Sequence, residues 1–223
     1  MTGAPNVPDW PGRSVLAVCA HPDDESFGLG AVLADAASRR AAVSVLCFTH
    51  GESSTLSDIP GPLGEIRKRE FEAAATVLGL ADAVLLDYPD GGLPGVDLDT
   101  LSGHVESLAA RTGARLLLAF DTGGVTGHPD HHRATEAALR AAGRMGLPVL
   151  GWAVPQDVAS TLNEELGTRF AGRAPADAVV ALDVDRTRQE KAIACHHSQA
   201  ADNPVLRRRL ELHGRREYLV RLH

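Results

Sequence analysis

Apolar residues along the chain follow two alternating periods. Ser14 to Cys19 (SVLAVC) is a short continuous run rich in β-branched residues, which predicts a strand buried on both faces. Val43–Phe48, Ala83–Leu86, Arg115–Phe120 and Val149–Val154 repeat that signature, and Ala178–Val184 adds a sixth run. Between them the spacing becomes helical. Gly28–Arg40 places Leu29, Val32, Leu33 and Ala36 on one face, Leu63–Leu80 closes near Gly79, and Leu98–Arg111 forms another amphipathic segment. Pro129–Arg144 begins with proline, whose fixed φ suits a first helical turn. Beyond the fifth strand the pattern is less regular, with helices predicted from about Arg186 to Cys195 and from Leu206 to Leu212. Thr49–Pro62 reads as a long surface loop and residues 1–13, with three prolines, as a flexible lead-in.

Strand and helix in strict alternation predict an α/β, Rossmann-like fold: a mostly parallel, doubly wound sheet with helices on both faces, as a single domain over residues 14–223. Such sheets commonly order their strands 3-2-1-4-5. Strands one and four are then neighbours, and the cleft at their carboxyl ends is the topological switch point where ligands bind.

Composition narrows the partners. Lys and Arg number 22 against 29 Asp and Glu, a formal net charge of -7, so the chain has no general attraction for nucleic acid or anionic membranes. Aromatics are 4%, which argues against a base-stacking surface and favours a small polar ligand over a long lipid. The runs Arg67–Arg69 and Arg207–Arg209 read as solvated helix faces. No segment has the ~20 apolar residues of a membrane span, and the first thirteen residues lack a secretory signal pattern. Three cysteines, Cys19, Cys47 and Cys195, fit reduced thiols in the cytoplasm. A homo-oligomer built through the C-terminal arm stays open.

Two segments carry the chemistry. His21-Pro-Asp-Asp-Glu25 follows strand one, and His128-Pro-Asp-His-His132 follows strand four and its loop. The predicted topology brings both to the switch point although about a hundred residues separate them. A hydrolytic zinc site needs three His or carboxylate ligands and an open position. His21 and Asp24, three apart across a proline turn, can share one ion, and His131 from the facing loop completes the set. Two histidines and a carboxylate also suit Fe²⁺. Asp23, beside the ligands, can take a proton from water. His128, one turn before His131, can meet charge on a carbonyl oxygen in protonated form and help an amine leave.

These motifs resemble the LmbE-like family, which includes the PIG-L type de-N-acetylases of N-acetylglucosaminyl-phosphatidylinositol. Deacetylases of mycothiol and bacillithiol biosynthesis, chitobiose deacetylases and deacylases of antibiotic pathways are further members. Thr49-His-Gly-Glu52, Arg67-Lys-Arg-Glu70, Asp90-Gly-Gly-Leu93 and Lys191–Gln199 are similar to other family segments. The resemblance implies that His21, Asp24 and His131 hold zinc, that Asp23 is the general base and that His128 stabilises the oxyanion. It also places Arg67 near the substrate and Asp90 against a sugar hydroxyl. His50 departs from the usual Thr-x-Gly-Glu pattern and is expected at the pocket rim. His132 reads as a helix-surface residue, and His196 and His197 are left without a settled role.

The expected activity is hydrolysis of an N-acyl amide, most simply N-acetyl, on an amino sugar or glycoside, with a thiol conjugate or antibiotic precursor as the alternative substrate. A different class, a nucleotide-sugar binding module holding Mg²⁺ at Asp23 and Asp24, lacks the G-x-G-x-x-G turn after strand one; Gly28-Leu-Gly30 lies too far on.

Overall fold

The computed structural model describes residues 13–56 and 59–223, so the lead-in proposed for residues 1–13 lies outside the described residues apart from Arg13. In chain order the elements are β1 Ser14–Cys19, α1 Asp24–Phe27, α2 Gly30–Ser38, β2 Ala42–Thr49, α3 Leu63–Leu78, β3 Asp82–Tyr88, α4 Leu98–Thr112, β4 Leu116–Phe120, α5 Gly124–Gly127 and α6 Pro129–Met145. There follow β5 Val149–Pro155, α7 Gln156–Leu166, β6 Gly172–Arg173, β7 Ala178–Asp183, α8 Thr187–Ile193, α9 His197–Ala200, α10 Pro204–His213 and β8 Arg216–Arg221.

The sheet runs β3-β2-β1-β4-β5-β8-β7, with β6 paired to β5 off that path. Its first five strands are parallel in the expected order; β8 runs antiparallel to both β5 and β7. β1 and β4 are direct neighbours, Ala17 opposite Leu118, so the loops leaving their carboxyl ends open into one crevice. The strands are apolar on both sides because both faces are covered. Val15, Ala17 and Cys19 join a core with Leu33, Phe71 and Trp152 on one face, while Leu16 and Val18 join one with Leu101, Val105 and Ala138 on the other.

Among the longer elements, two were not anticipated. The stretch after β5 contains the regular helix α7, which buries Val158, Ala159 and Leu162 and ends on Gly167 in the left-handed conformation. β8 is a strand with a buried carboxylate at its second position. Glu217 is fully buried because Trp152 Nε1 and Arg186 Nη1 donate to it at 2.6 and 2.5 Å. No helix among the described residues is long and apolar enough to cross a membrane.

The helix that matters most for the site is α6. It presents Ala134, Ala137, Ala138, Ala141 and Ala142 to the sheet and α4, and these small side chains let it lie close to both. Its start is fixed twice: His128 Nδ1 accepts from the Asp130 N–H at 3.2 Å, and Pro129 supplies the first-turn φ.

Candidate metal and catalytic site

The two histidine motifs meet at the predicted crevice. Asp24 is oriented by its own turn, since the Ala20 and His21 N–H groups both donate to its Oδ2 at 3.0 Å. Its Oδ1 then stands 3.2 Å from His131 Nε2, and His21 Nδ1 lies 3.2 Å from that same nitrogen. All three residues are buried. Burial opposes the Asp24 charge, but His131 and His21 hold its carboxyl well below the usual carboxylate range.

The tautomers follow from the far side of each ring. His131 Nδ1 faces the Gly124 carbonyl at 3.0 Å, which can only accept, so Nδ1 carries the proton and Nε2 a lone pair. His21 Nε2 faces two carboxylates, Asp90 Oδ1 at 3.0 Å and Asp130 Oδ2 at 3.4 Å, so Nδ1 is the bare nitrogen of the neutral ring. With both rings neutral, two lone pairs and a carboxylate oxygen thus converge; without an ion, a proton on His21 Nδ1 bridges to His131 Nε2. Tetrahedral ligands at about 2.0–2.1 Å from zinc would stand ~3.3 Å apart, which matches the 3.2 Å separations. The residues fit a small divalent cation. A second group, His21, His128 and Asp130, also has ligand atoms close together, but its carboxylate is engaged elsewhere. Asp130 is fully buried and accepts from the Gly91 and Leu93 N–H groups at 2.8 and 3.2 Å.

This surrounding field is strongly acidic. Burial works against a charged His21, yet Asp130, Asp90, Asp24 and Asp23 outweigh it and raise its pKa to about 10 in the absence of an ion. The His21 contact in turn holds Asp90 down to about 2, against the opposing effect of burial.

Asp23 sits beside the ligands in a strained backbone, with φ 120°. Glu25 Oε2 accepts its N–H at 2.9 Å, and its own carbonyl accepts from Ser26 and Phe27. Burial pushes its carboxyl up, Arg67 pulls it down and Asp24 pushes it up again, to a net value of about 6. Arg67 is committed to this turn. Its Nη2 donates to Asp23 Oδ2 at 2.9 Å and to the Pro22 carbonyl, and Nη1 donates to the Gly51 carbonyl at 2.6 Å. Gly51 has φ +63°, and a Cβ there would stand 2.1 Å from Arg67 Nη1.

His128 is half-buried, with its ring edge-on to His21 at 4.7 Å. Because Nδ1 accepts the Asp130 N–H, the neutral ring carries its proton on Nε2. Burial, His21 and His131 all lower its pKa below 6.5. In its neutral form His128 is an N–H donor through Nε2, where the motif suggested a protonated ring.

A cavity of about 480 Å³ opens over these groups. His21, Asp23, Asp24, His128 and His131 line it, with Arg67 and Asp90. Its other wall is aromatic: Phe27, Phe120, Trp152 and Phe170 are four of the nine aromatic residues in the chain (5 Phe, 2 Trp and 2 Tyr). A low overall aromatic content did not mean a polar pocket.

The other histidines separate cleanly. His50 is not at the rim; it bridges the Gly64 carbonyl at 3.2 Å and Asp87 at 2.8 Å. His132 contacts the Thr122 carbonyl at 2.8 Å, steadying the loop before α6. His196 is fully buried, 2.7 Å from Glu25, and His197 is exposed. Sequence reasoning gave no role to Asp130 or Glu25 although both lie inside the motifs. Their partners, the Gly91 turn and His196, come from distant segments.

The PIG-L family model, described as GlcNAc-PI de-N-acetylase, matches residues 16–142. The chain belongs to this family. A 1D-myo-inositol 2-acetamido-2-deoxy-alpha-D-glucopyranoside deacetylase of Salinispora arenicola is 30% identical to this PIG-L chain over 92% of the chain and 81% of that protein. The enzyme of the same description from Streptomyces avermitilis is 34% identical over 60% of the chain and 54% of that protein, so the PIG-L chain spans about half the length of that relative. Among solved structures, N,N'-diacetylchitobiose deacetylase from Pyrococcus horikoshii has a TM-score of 0.70 at 22% identity, covering 94% of the chain and 84% of that structure. GalB, the 4-carboxy-2-hydroxymuconate hydratase of Pseudomonas putida, has a TM-score of 0.68 at 20% identity, covering 95% and 96%. These likenesses establish the fold; the reaction must be argued from the site.

Proposed function

We propose that this protein is a zinc-dependent N-deacetylase that releases a free amine and acetate from an N-acetylated amino sugar or glycoside. The observation that carries the reading is the convergence of His21 Nδ1, His131 Nε2 and Asp24 Oδ1, with the Asp23 carboxylate alongside, in one cavity. The relatives' deacetylation of an acetamido-glucopyranoside supplies the substrate class. His21, Asp24 and His131 would hold the metal. Two imidazoles and one carboxylate leave Fe²⁺ as a competing occupant. A Mg²⁺ site for a nucleotide diphosphate fits less well, because bare imidazole nitrogens are poor ligands for so hard an ion. We take residues 14–223 as one catalytic unit working in the cytoplasm, consistent with the free thiols Cys19, Cys47 and Cys195.

A divalent ion held by His21, Asp24 and His131 would supply Lewis-acid polarisation of the amide carbonyl and would acidify water. Asp23 accepts the proton of the attacking water as its oxygen bonds to the carbonyl carbon. The neutral His128 Nε2–H donates to the oxygen that becomes negative. The proton held by Asp23 then passes to the nitrogen as the C–N bond breaks, leaving amine and acetate. A carboxyl with a pKa of about 6 suits both halves of that transfer. Asp90 and Asp130 fix the His21 ring, and Arg67 fixes Asp23. A panel of N-acetylglucosamine glycosides, assayed for free amine with purified protein of known metal content, tests the proposal. Amine release that depends on metal is expected; an inert panel across several metals would discard it.

A further inference from the structure

The aromatic wall of the cavity ends on a cation. Arg209, from α10, is 4% exposed and lines the cavity. Its guanidinium carbon lies over Trp152, 5.0 Å from the ring centroid, and its Nη2 donates to the Phe27 carbonyl. Its Nη1 has no hydrogen-bond partner among the described residues, and none of their carboxylates forms an ion pair with it. The acid whose charge it feels, Glu217, is already occupied by Trp152 Nε1, by Arg186 and by His213 at 3.5 Å. The neighbours in the same basic run behave differently. Arg208 pairs with Glu165 and Glu211 on the surface, and Arg207 donates to the Ala201 carbonyl. Only Arg209 turns inward, away from the solvated face that the run suggested.

A buried cation with no carboxylate in ion-pair contact is costly, and burial, against the opposing charge of Glu217, pulls the Arg209 pKa down to about 10. The guanidinium fork, already stacked on Trp152 through its face, still matches a carboxylate or phosphate at its edge, and an aromatic surround strengthens that match. The distance from the reacting groups is also set. The Phe120 ring lies 5.0 Å from that of His131 and 5.4 Å from that of Trp152, and Arg209 lies over Trp152, so two rings in succession link the metal-ligand histidine to the guanidinium.

We infer that Arg209 is a specificity residue that receives an anionic substituent of the substrate, a carboxylate or phosphate on a part remote from the scissile amide. The inference rests on the deacetylase reading for the sugar scaffold. Its test is equilibrium binding, so that it reads independently of turnover.

Calorimetry on the metal-loaded protein would compare three pairs that differ in charge. They are the carboxymethyl glycoside of N-acetylglucosamine against its methyl ester, N-acetylglucosamine 1-phosphate against N-acetylglucosamine, and N-succinylglucosamine against its methyl ester. The first two place the anion on the amine-bearing partner as carboxylate or phosphate; the third places it on the acyl group. At least one anion should bind ~10-fold or more tightly than its neutral partner, the range of a charge-assisted hydrogen bond. Arg209→Met should bring that ratio close to one, and Arg209→Lys, which keeps the charge but not the fork, should leave part of it. A packing role alone would weaken both members of a pair equally. Wild-type protein that binds acid and neutral partner equally in all three pairs overturns the inference, as does a ratio unchanged in Arg209→Met. If the sugars bind with this preference but release no amine, the deacetylase reading fails and the anion site stands.

Discussion

Arg67 Nη2 holds Asp23 Oδ2 at 2.9 Å while the same guanidinium donates to the Pro22 and Gly51 carbonyls. The family resemblance placed Arg67 near the substrate. It does line the cavity, but two of those donations bind it to the turn that carries Asp23 and the third ties that turn to the loop after β2.

Removing the guanidinium should therefore act first on the fold of that turn. Arg67→Met leaves a buried Asp23 charge unpaired, a loss of about 3–5 kcal/mol where Asp23 is ionised. Urea unfolding at pH 8 should show that loss, and at pH 5, where Asp23 with its pKa of about 6 is mostly protonated, the loss should be smaller. Gly51→Ala should behave similarly, because its Cβ would meet Arg67 Nη1 at 2.1 Å on a backbone with φ +63°. Equal losses at both pH values would detach Arg67 from the Asp23 charge.

Asp23→Asn separates catalysis from stability. Turnover should fall by ~10²–10⁴-fold with metal retained, the usual worth of a general base. Folding should respond in the opposite sense. The folded-state pKa of about 6 lies above the ordinary 3.8, so the native protein holds this proton more tightly than the unfolded chain. Ionisation between about pH 4 and pH 6 then costs stability, and the cost persists above pH 6. In metal-free protein, Asp23→Asn should melt higher than wild type at pH 7 and converge with it at pH 4. A variant that melts lower at pH 7 would show that the carboxylate is a net stabiliser.

The metal reading makes a graded prediction. One zinc per chain is expected, and His21→Ala, Asp24→Ala or His131→Ala should abolish it, as read by elemental analysis. Asp90→Asn and Asp130→Asn should retain metal with ~10–100-fold weaker affinity, because both carboxylates orient the His21 ring. For Asp90 this discriminates two roles. A residue that only touched a sugar hydroxyl would change substrate affinity and leave metal affinity alone.

Much of this site was legible because its residues are local to strand ends. His21 and Asp24 follow β1 directly, His131 sits in the first turn of α6, and the parallel order makes β1 and β4 neighbours. What was not legible depends on long-range partners. Asp130 matters through the Gly91 turn, and Glu25 through His196, which is 171 residues away. β8 was hidden because Arg216 and Glu217 open it and leave only a three-residue apolar run, and the Arg186, Trp152 and His213 contacts make the burial of Glu217 tolerable. Arg209 was hidden inside a run of three arginines, since charge in sequence does not say which member turns inward. The aromatic wall was missed because a chain average says nothing about where four rings collect.

The pH profile offers the sharpest separation of roles for His128. Read from the motif, a protonated His128 would lend its proton to the leaving amine, and its loss would give the basic limb. In the structure burial, His21 and His131 all push the ring's pKa below 6.5, so above neutrality it is already uncharged and donates through Nε2–H. The basic limb must then belong to another group. His128→Ala should lower the maximal rate by ~10²–10³-fold, as for loss of one oxyanion donor, yet leave the basic limb where it was. It should also cost about 1 kcal/mol of stability, because Nδ1 caps α6 through the Asp130 N–H. His128→Asn should recover the capping contribution, which thermal unfolding will read, and restore rate only so far as its amide reaches the carbonyl oxygen. A basic limb that disappears in His128→Ala would return the histidine to the role of a charged acid. A wild-type rate in the same variant would leave it as a helix cap and nothing more.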